Sequence, residues 1–161
     1  MDVFDEDLLT MWSAFNKNNV QYIMIGGFAV NMHGFARTTE DVDIWLNDTK
    51  VNRKHLRKAF SVLGYGDYEL LETLDFIPGF TQFYVGNGLC LDMLTSMKGL
   101  TESTFEECLD RAIMADLNGI LVPFLHVSDL IKNKKATARP KDIIDVAELE
   151  KIAANNINND K

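Results

Sequence analysis

A short apolar run, Val20 to Ile25, stops at a glycine pair, Gly26-Gly27. The run is rich in β-prone residues, so it reads as a buried strand. Phe28 to His33 follows as a short helix closed by Gly34. A Gly-Gly pair between a strand and a helix lets phosphate oxygens approach the backbone, because no Cβ stands in the way. The helix behind it offers free amides to an anion. The same pair also reads as a tight turn holding no ligand.

With thirteen residues between, Gly27 is followed by Asp41-Val42-Asp43-Ile44, at the head of a second apolar run to Leu46. Side chains alternate along a strand, so Asp41 and Asp43 face the same way. Two like charges on one sheet face repel unless a cation joins them. A hard divalent ion bound through oxygens suits such a pair, and magnesium keeps positions open for phosphate. A solvated acidic edge is the alternative. A third acid, Asp92, lies inside the apolar run Leu89 to Leu94. A carboxylate there is costly unless it is paired or metal-bound. A buried Arg or Lys partner would serve equally.

Other elements surround these. Leu8, Trp12 and Phe15 mark a first amphipathic helix, and Leu56, Ala59, Phe60 and Leu63 another ending at Gly64. Phe80 to Val85 and Leu89 to Leu94 flank Gly86-Asn87-Gly88 as a hairpin. Ser103 with Glu106 resembles a capping box, opening a helix to about Arg111. A second hairpin turns at Asn118-Gly119, between Ile113 to Leu117 and Ile120 to Phe124. Ser128 is the expected cap of a helix through Lys135, and Pro140 starts the last helix, to about Ala154. Helices alternating with strands, then hairpins, indicate an α/β (α+β) fold with helices packed on a mixed β-sheet. No linker-like stretch divides residues 1–161, so a single domain is expected, with residues 155–161 a frayed tail.

The net charge of −8 argues against coating nucleic acid by charge alone. No apolar run approaches the roughly 20 residues of a membrane helix. The acidic start, Met1 to Asp7, is unlike a secretory signal, and two cysteines, Cys90 and Cys108, are too few for a disulfide framework. These features predict a cytoplasmic protein with no membrane partner and two buried free thiols. His33, His55 and His126 show no metal-binding spacing. Trp45 shares the strand face of Asp43, where it either touches a base or packs in the core.

Taken together, Ile25-Gly26-Gly27, Asp41-Val42-Asp43-Ile44 and Asp92 resemble the signature of the nucleotidyltransferase superfamily, with its polymerase-beta-like fold. The surrounding residues, Gly26 to Gly34 and Arg37 to Ile44, are most similar to the minimal bacterial group that includes the abortive-infection type toxins. So is the stretch Asp129 to Lys135 with Arg139 to Asp145. The resemblance implies two metal ions, Mg2+ or Mn2+, held on a nucleoside triphosphate by Asp41 and Asp43. It implies Asp92 as a third ligand and the base for an acceptor hydroxyl. Gly26 and Gly27 would lie under the β- and γ-phosphates. Lys132 is the first choice for a phosphate-binding lysine ahead of Lys135, and Arg37 either binds the nucleotide or acceptor or neutralises the acids.

The implied reaction transfers a nucleoside monophosphate to a hydroxyl of RNA, protein or a small molecule, with release of pyrophosphate. A toxin of this kind would have an antidote protein as partner. One departure stands out: many active members carry Ser where this chain has Gly27. That departure motivates the alternative of a non-catalytic nucleotide-binding or toxin-antitoxin partner on the same scaffold.

Overall fold

A computed structural model describes residues 2–76, 79–85 and 88–159. The first helix, α1 (Glu6–Lys17), begins where the Asp5 carboxylate accepts the Asp7 amide. Its buried face carries Leu8, Met11, Trp12 and Phe15. Strand β1 (Tyr22–Met24) is followed at once by α2 (Gly26–Met32), so the helix starts on the glycines rather than after them. Strand β2 (Val42–Leu46) leads to α3 (Lys50–Val62), capped by Thr49, and a short 3-10 turn at Glu69–Glu72. Then come β3 (Phe80–Val85), β4 (Leu89–Leu94) and α4 (Phe105–Arg111). The hairpin of β5 (Ile113–Leu117) and β6 (Ile120–Phe124) leads to α5 (Val127–Thr137) and α6 (Pro140–Asn159).

The six strands form one mixed sheet in the order β3-β4-β2-β1-β6-β5. The β2–β4 and β1–β6 pairs are parallel; the β1–β2, β3–β4 and β5–β6 pairs are antiparallel. This is the α/β architecture with a mixed sheet that the order of elements predicts. The β5–β6 turn falls at Asn118 and Gly119, whose φ of 54° and 85° are the positive values a two-residue hairpin demands. At the β3–β4 hairpin, Gly86 and Asn87 lie outside the described residues.

One sheet face carries Tyr22, Ile44, Leu91 and Phe83, which share it by register. Helices α1 and α3 cover it. Trp12 stacks on Tyr22 at 5.2 Å, and Phe60 of α3 meets Phe15 and Phe83. Each such aromatic side chain, fully buried, contributes on the order of 1.5–3 kcal/mol. With that face sealed, the side chains at Asp43, Trp45, Asp92 and Leu94 are left on the other. Trp45 is buried there and meets Phe105 of α4 edge-on at 5.2 Å. It is a core residue, not a base platform.

Beyond β1 and α2, other boundaries also differ from expectation. The capping box is Thr104 with Glu107, one residue beyond Ser103 and Glu106. Both pairs have the spacing, but Glu106 instead accepts the Asn47 side-chain amide at 3.0 Å. The cap of α5 is His126, whose ring accepts the Ser128 amide at 3.2 Å, so the helix starts before Ser128. Helix α6 continues past Ala154 to Asn159, since no Gly or Pro interrupts it and asparagine is only mildly unfavourable in a helix. The two cysteines are free and buried. Among the described residues, no helix is long and apolar enough to cross a membrane.

Candidate active site

The site is assembled by strand register. In the parallel β2–β4 pair, Asp43 lies opposite Asp92. Residues opposite each other share a face, so both carboxylates rise from the side that α1 and α3 leave open. Asp41, exposed at the mouth of β2, joins them. The β1–α2 turn is fastened beside this group, because the Ile25 amide donates to the Asp43 carbonyl at 3.0 Å. Gly26 has a φ of +62°, and a Cβ on it would run into the Asp43 carboxylate. The glycine is therefore required twice, by backbone conformation and by the acid packed against it.

Gly27 is required for a different reason. A Cβ there would stand 2.6 Å from Thr39 Oγ1 and 2.7 Å from its Cβ, with Arg37 Nη1 at 3.3 Å. Thr39 is buried and its hydroxyl donates to the Asp41 carbonyl at 3.1 Å. The space a serine side chain would use at this position is filled by Thr39. The glycine thus follows from this chain's own packing.

These residues line a cavity of about 780 Å³, within the range of small-molecule sites. Asp41, Asp43, Asp92, Gly26, Gly27 and Arg37 all border it. Lys132 does not; it points from the exposed side of α5, and Lys135 pairs with Glu150. The α5 lysine that borders the cavity is Lys134, which is buried. Its ammonium lies 2.7 Å from Asp145 and 3.2 Å from Asp142. Arg139 makes a forked contact to Asp142 at 2.7 and 3.2 Å. Arg37 Nη2 donates to Asp145 Oδ2 at 3.1 Å. Its Nε stands 2.9 Å from Oδ1 but is not aligned as a hydrogen bond, so that contact is ionic only. Three cations share two buried carboxylates, which leaves this wall net positive. Lys98 and Lys141 add to the cationic lining.

The cavity therefore has an acidic floor and a basic wall, and its electrostatics follow. Burial pushes the Asp43 carboxyl up to about 6, and the charges of Asp92 and Asp41 push the same way against Lys141 and Arg139. Burial would likewise raise Asp142, but hydrogen bonds from Arg139, Thr137 and Lys134 outweigh it and hold that carboxyl well below the usual range. The Cys90 thiol is raised to about 11 by burial and then by Asp92 and Asp41, so it stays protonated. Among the described residues, no three His, Cys, Asp or Glu side chains are already gathered as a metal cluster. The donor chemistry nonetheless fits a hard divalent cation: three carboxylates face one cavity, and the repulsion among them is what such an ion relieves.

Sequence reasoning missed Lys134, Asp142, Asp145 and Thr39. A signal for Lys134 was present: it follows the buried Leu130 by four residues and so belongs to the inward face of α5.

The fold has solved counterparts. The lincosamide antibiotic adenylyltransferase LnuA, solved with lincomycin bound, is 17% identical, with a TM-score of 0.60 over 92% of this chain and 97% of that one. ANT(2")-Ia, solved in complex with adenylyl-2"-tobramycin, is 17% identical, with a TM-score of 0.56 over 91% of each chain. The Thermotoga maritima protein TM1012 is 13% identical, with a TM-score of 0.56 over 92% and 91%. No curated protein matches the chain in sequence. A family model matches residues 4–159, nearly the whole chain, and by it this protein belongs to the family described as "Nucleotidyltransferase of unknown function (DUF6036)".

Proposed function

We propose that this protein is a metal-dependent enzyme that transfers a nucleoside monophosphate from a nucleoside triphosphate to a hydroxyl acceptor. The observation that carries this reading is the pairing of Asp43 with Asp92 across β2 and β4, beside Gly26 and Gly27 and facing the basic wall. A triphosphate needs cationic groups along its phosphates and a close approach to backbone. A divalent ion needs hard oxygen donors. The cavity offers both within one space.

In this reading the triphosphate lies over Gly26 and Gly27, with its β- and γ-phosphates toward Arg37, Arg139 and Lys134. Asp41, Asp43 and Asp92 would hold Mg2+ or Mn2+, which would supply positive charge to stabilise the phosphate oxygens during transfer. The acceptor oxygen forms a bond to the α-phosphorus as the bond to the β-phosphate oxygen breaks, and pyrophosphate leaves. Asp92 takes the acceptor proton. Lys132, exposed and off the cavity, is replaced in the phosphate role by Lys134.

Small hydroxylated molecules are the acceptor class we favour, since the LnuA and ANT(2")-Ia structures, matched over nearly their whole length, were solved with an antibiotic or its adenylylated form. The similarity of the C-terminal helices to those of abortive-infection type toxins keeps RNA or protein as the second class, with an antidote protein as partner. The test is incubation with labelled triphosphates and magnesium against a panel of hydroxylated antibiotics, transfer RNA and cell protein. Label on one acceptor class, with matching pyrophosphate release, supports transfer. Metal-dependent triphosphate binding without label on any acceptor contradicts it and favours the non-catalytic alternative.

A further inference from the structure

The Asp92 carboxylate is held by a chain of side chains that runs outward along β3. Gln82 lies opposite Asp92 in the antiparallel β3–β4 pair. Its Nε2 donates to Asp92 Oδ1 at 2.7 Å. Tyr84, two residues on and on the same strand face, donates its hydroxyl to Gln82 Oε1 at 3.1 Å. The Asp92 carboxylate settles which end of the amide faces it, because a carboxylate accepts and the amide nitrogen donates; the Tyr84 hydroxyl, which can do either, is left to donate to the amide oxygen. Cys90 adds a weak donor at 3.6 Å, again to Oδ1. Among the described residues, both bonds that Asp92 accepts fall on one oxygen, and Oδ2 carries neither.

The chemistry of residue 82 matters here. A lysine or arginine opposite Asp92 would cancel its charge and compete with a metal ion. A leucine would leave the carboxylate free to swing. Glutamine fixes one oxygen while leaving the negative charge uncompensated. Tyr84 is 74% exposed, so it is not there to fill the core. Its hydroxyl is directed at Gln82 instead.

We propose that Gln82, oriented by Tyr84, is a positioning residue that turns the Asp92 carboxylate so that Oδ2 faces a divalent cation in the cavity. This rests on the function proposed above. Gln82 touches no substrate; it acts through Asp92, as outer-shell partners of metal ligands do.

The test titrates Mn2+ into the full chain with a non-hydrolysable ATP analogue, followed by calorimetry and by the Mn2+ spin-resonance signal, beside thermal melts of the metal-free proteins. Gln82→Met is expected to weaken Mn2+ binding about 10-fold, with the melting point within a degree or so of wild type. Tyr84→Phe is expected to cause a smaller loss in the same direction with no change in melting. Gln82→Lys is expected to raise the metal-free melting point by pairing with Asp92, and to abolish Mn2+ binding. Wild-type Mn2+ affinity in Gln82→Met and Tyr84→Phe overturns this inference alone. Failure of wild type itself to bind Mn2+ overturns it together with the proposed function.

Discussion

Asp43 and Asp92 come from strands with some forty residues between them in sequence, yet they are direct neighbours across the parallel β2–β4 pair. Nothing in either strand alone places two carboxylates together. The crossover through α3 and the β3–β4 hairpin does so, by setting β4 beside β2 in this register. A slip of one residue would turn Asp92 into the core under α1 and α3 and bring Leu91 or Met93 into the cavity.

The two glycines are expected to fail in different ways. Gly26→Ala adds a Cβ against the Asp43 carboxylate at a φ of +62°. It is expected to destabilise the protein by about 1–2 kcal/mol from backbone conformation alone, and to weaken triphosphate binding by displacing the acid. At Gly27→Ser the nearest obstacles to the new Cβ are the Thr39 side chain and Arg37. Its loss is expected to be partly recovered in the Gly27→Ser/Thr39→Ala double variant, and Gly26→Ala is expected to gain nothing from the same companion. Urea unfolding and analogue binding of the four proteins check this.

Lys134 bridges two carboxylates, Asp142 and Asp145, that are 0% and 1% exposed. Removing one partner from a buried ionic group leaves charge uncompensated, typically at a cost of about 3–5 kcal/mol. Lys134→Met is therefore expected to destabilise strongly in denaturant melts, whereas Lys132→Met, on the exposed side of α5, is expected to change stability by less than about 0.5 kcal/mol. Equal effects of the two substitutions would contradict the assignment of the inward lysine.

The same network is expected to make the fold sensitive to acid. Asp142 has a depressed carboxyl in the folded chain, so the unfolded chain binds its proton first as the pH falls. The stabilisation is complete above the ordinary aspartate value of about 4 and drains away as the pH falls toward the folded value. Unfolding free energy is expected to be nearly flat from pH 7 to 5 in this respect and to drop below about pH 4. Asp142→Asn is expected to be less stable at pH 7 and to lose less between pH 4 and 2. A variant with the wild-type slope would show that Asp142 does not carry the effect.

Much of this architecture is legible in the sequence, for local reasons. Strand β2, both strands of each hairpin and the Asn118-Gly119 turn coincide with their expected bounds, because alternation and turn chemistry are short-range signals. The boundaries of α4 and α5 are not, since Ser103 and Thr104 fit a capping box equally and only the pull of Asn47 on Glu106 decides between them. The spacing of Gly26, Gly27, Asp41 and Asp43 reports the acidic floor, because all four lie on consecutive elements. The basic wall escaped for the opposite reason. Its charges come from α5, α6 and the Arg37 loop, and which lysine of the Lys132 to Lys135 cluster turns inward depends on how α5 packs. Thr39 is legible only through its packing against Gly27, which has no sequence signature.

The most direct test of the account is the Asp43→Asn protein compared with wild type in two measurements on the same samples. Removing one of three mutually repelling carboxylates is expected to raise the metal-free stability by about 1 kcal/mol, less than the full shift at Asp43 implies because water reaches part of that side chain. In calorimetry with a non-hydrolysable ATP analogue, wild type is expected to bind in a manner that requires Mg2+ or Mn2+, and Asp43→Asn to lose that metal-dependent binding. Metal-dependent binding that survives Asp43→Asn undiminished, or a wild type that binds neither metal nor nucleotide, would contradict the central claim that these carboxylates form the floor of a metal-triphosphate site.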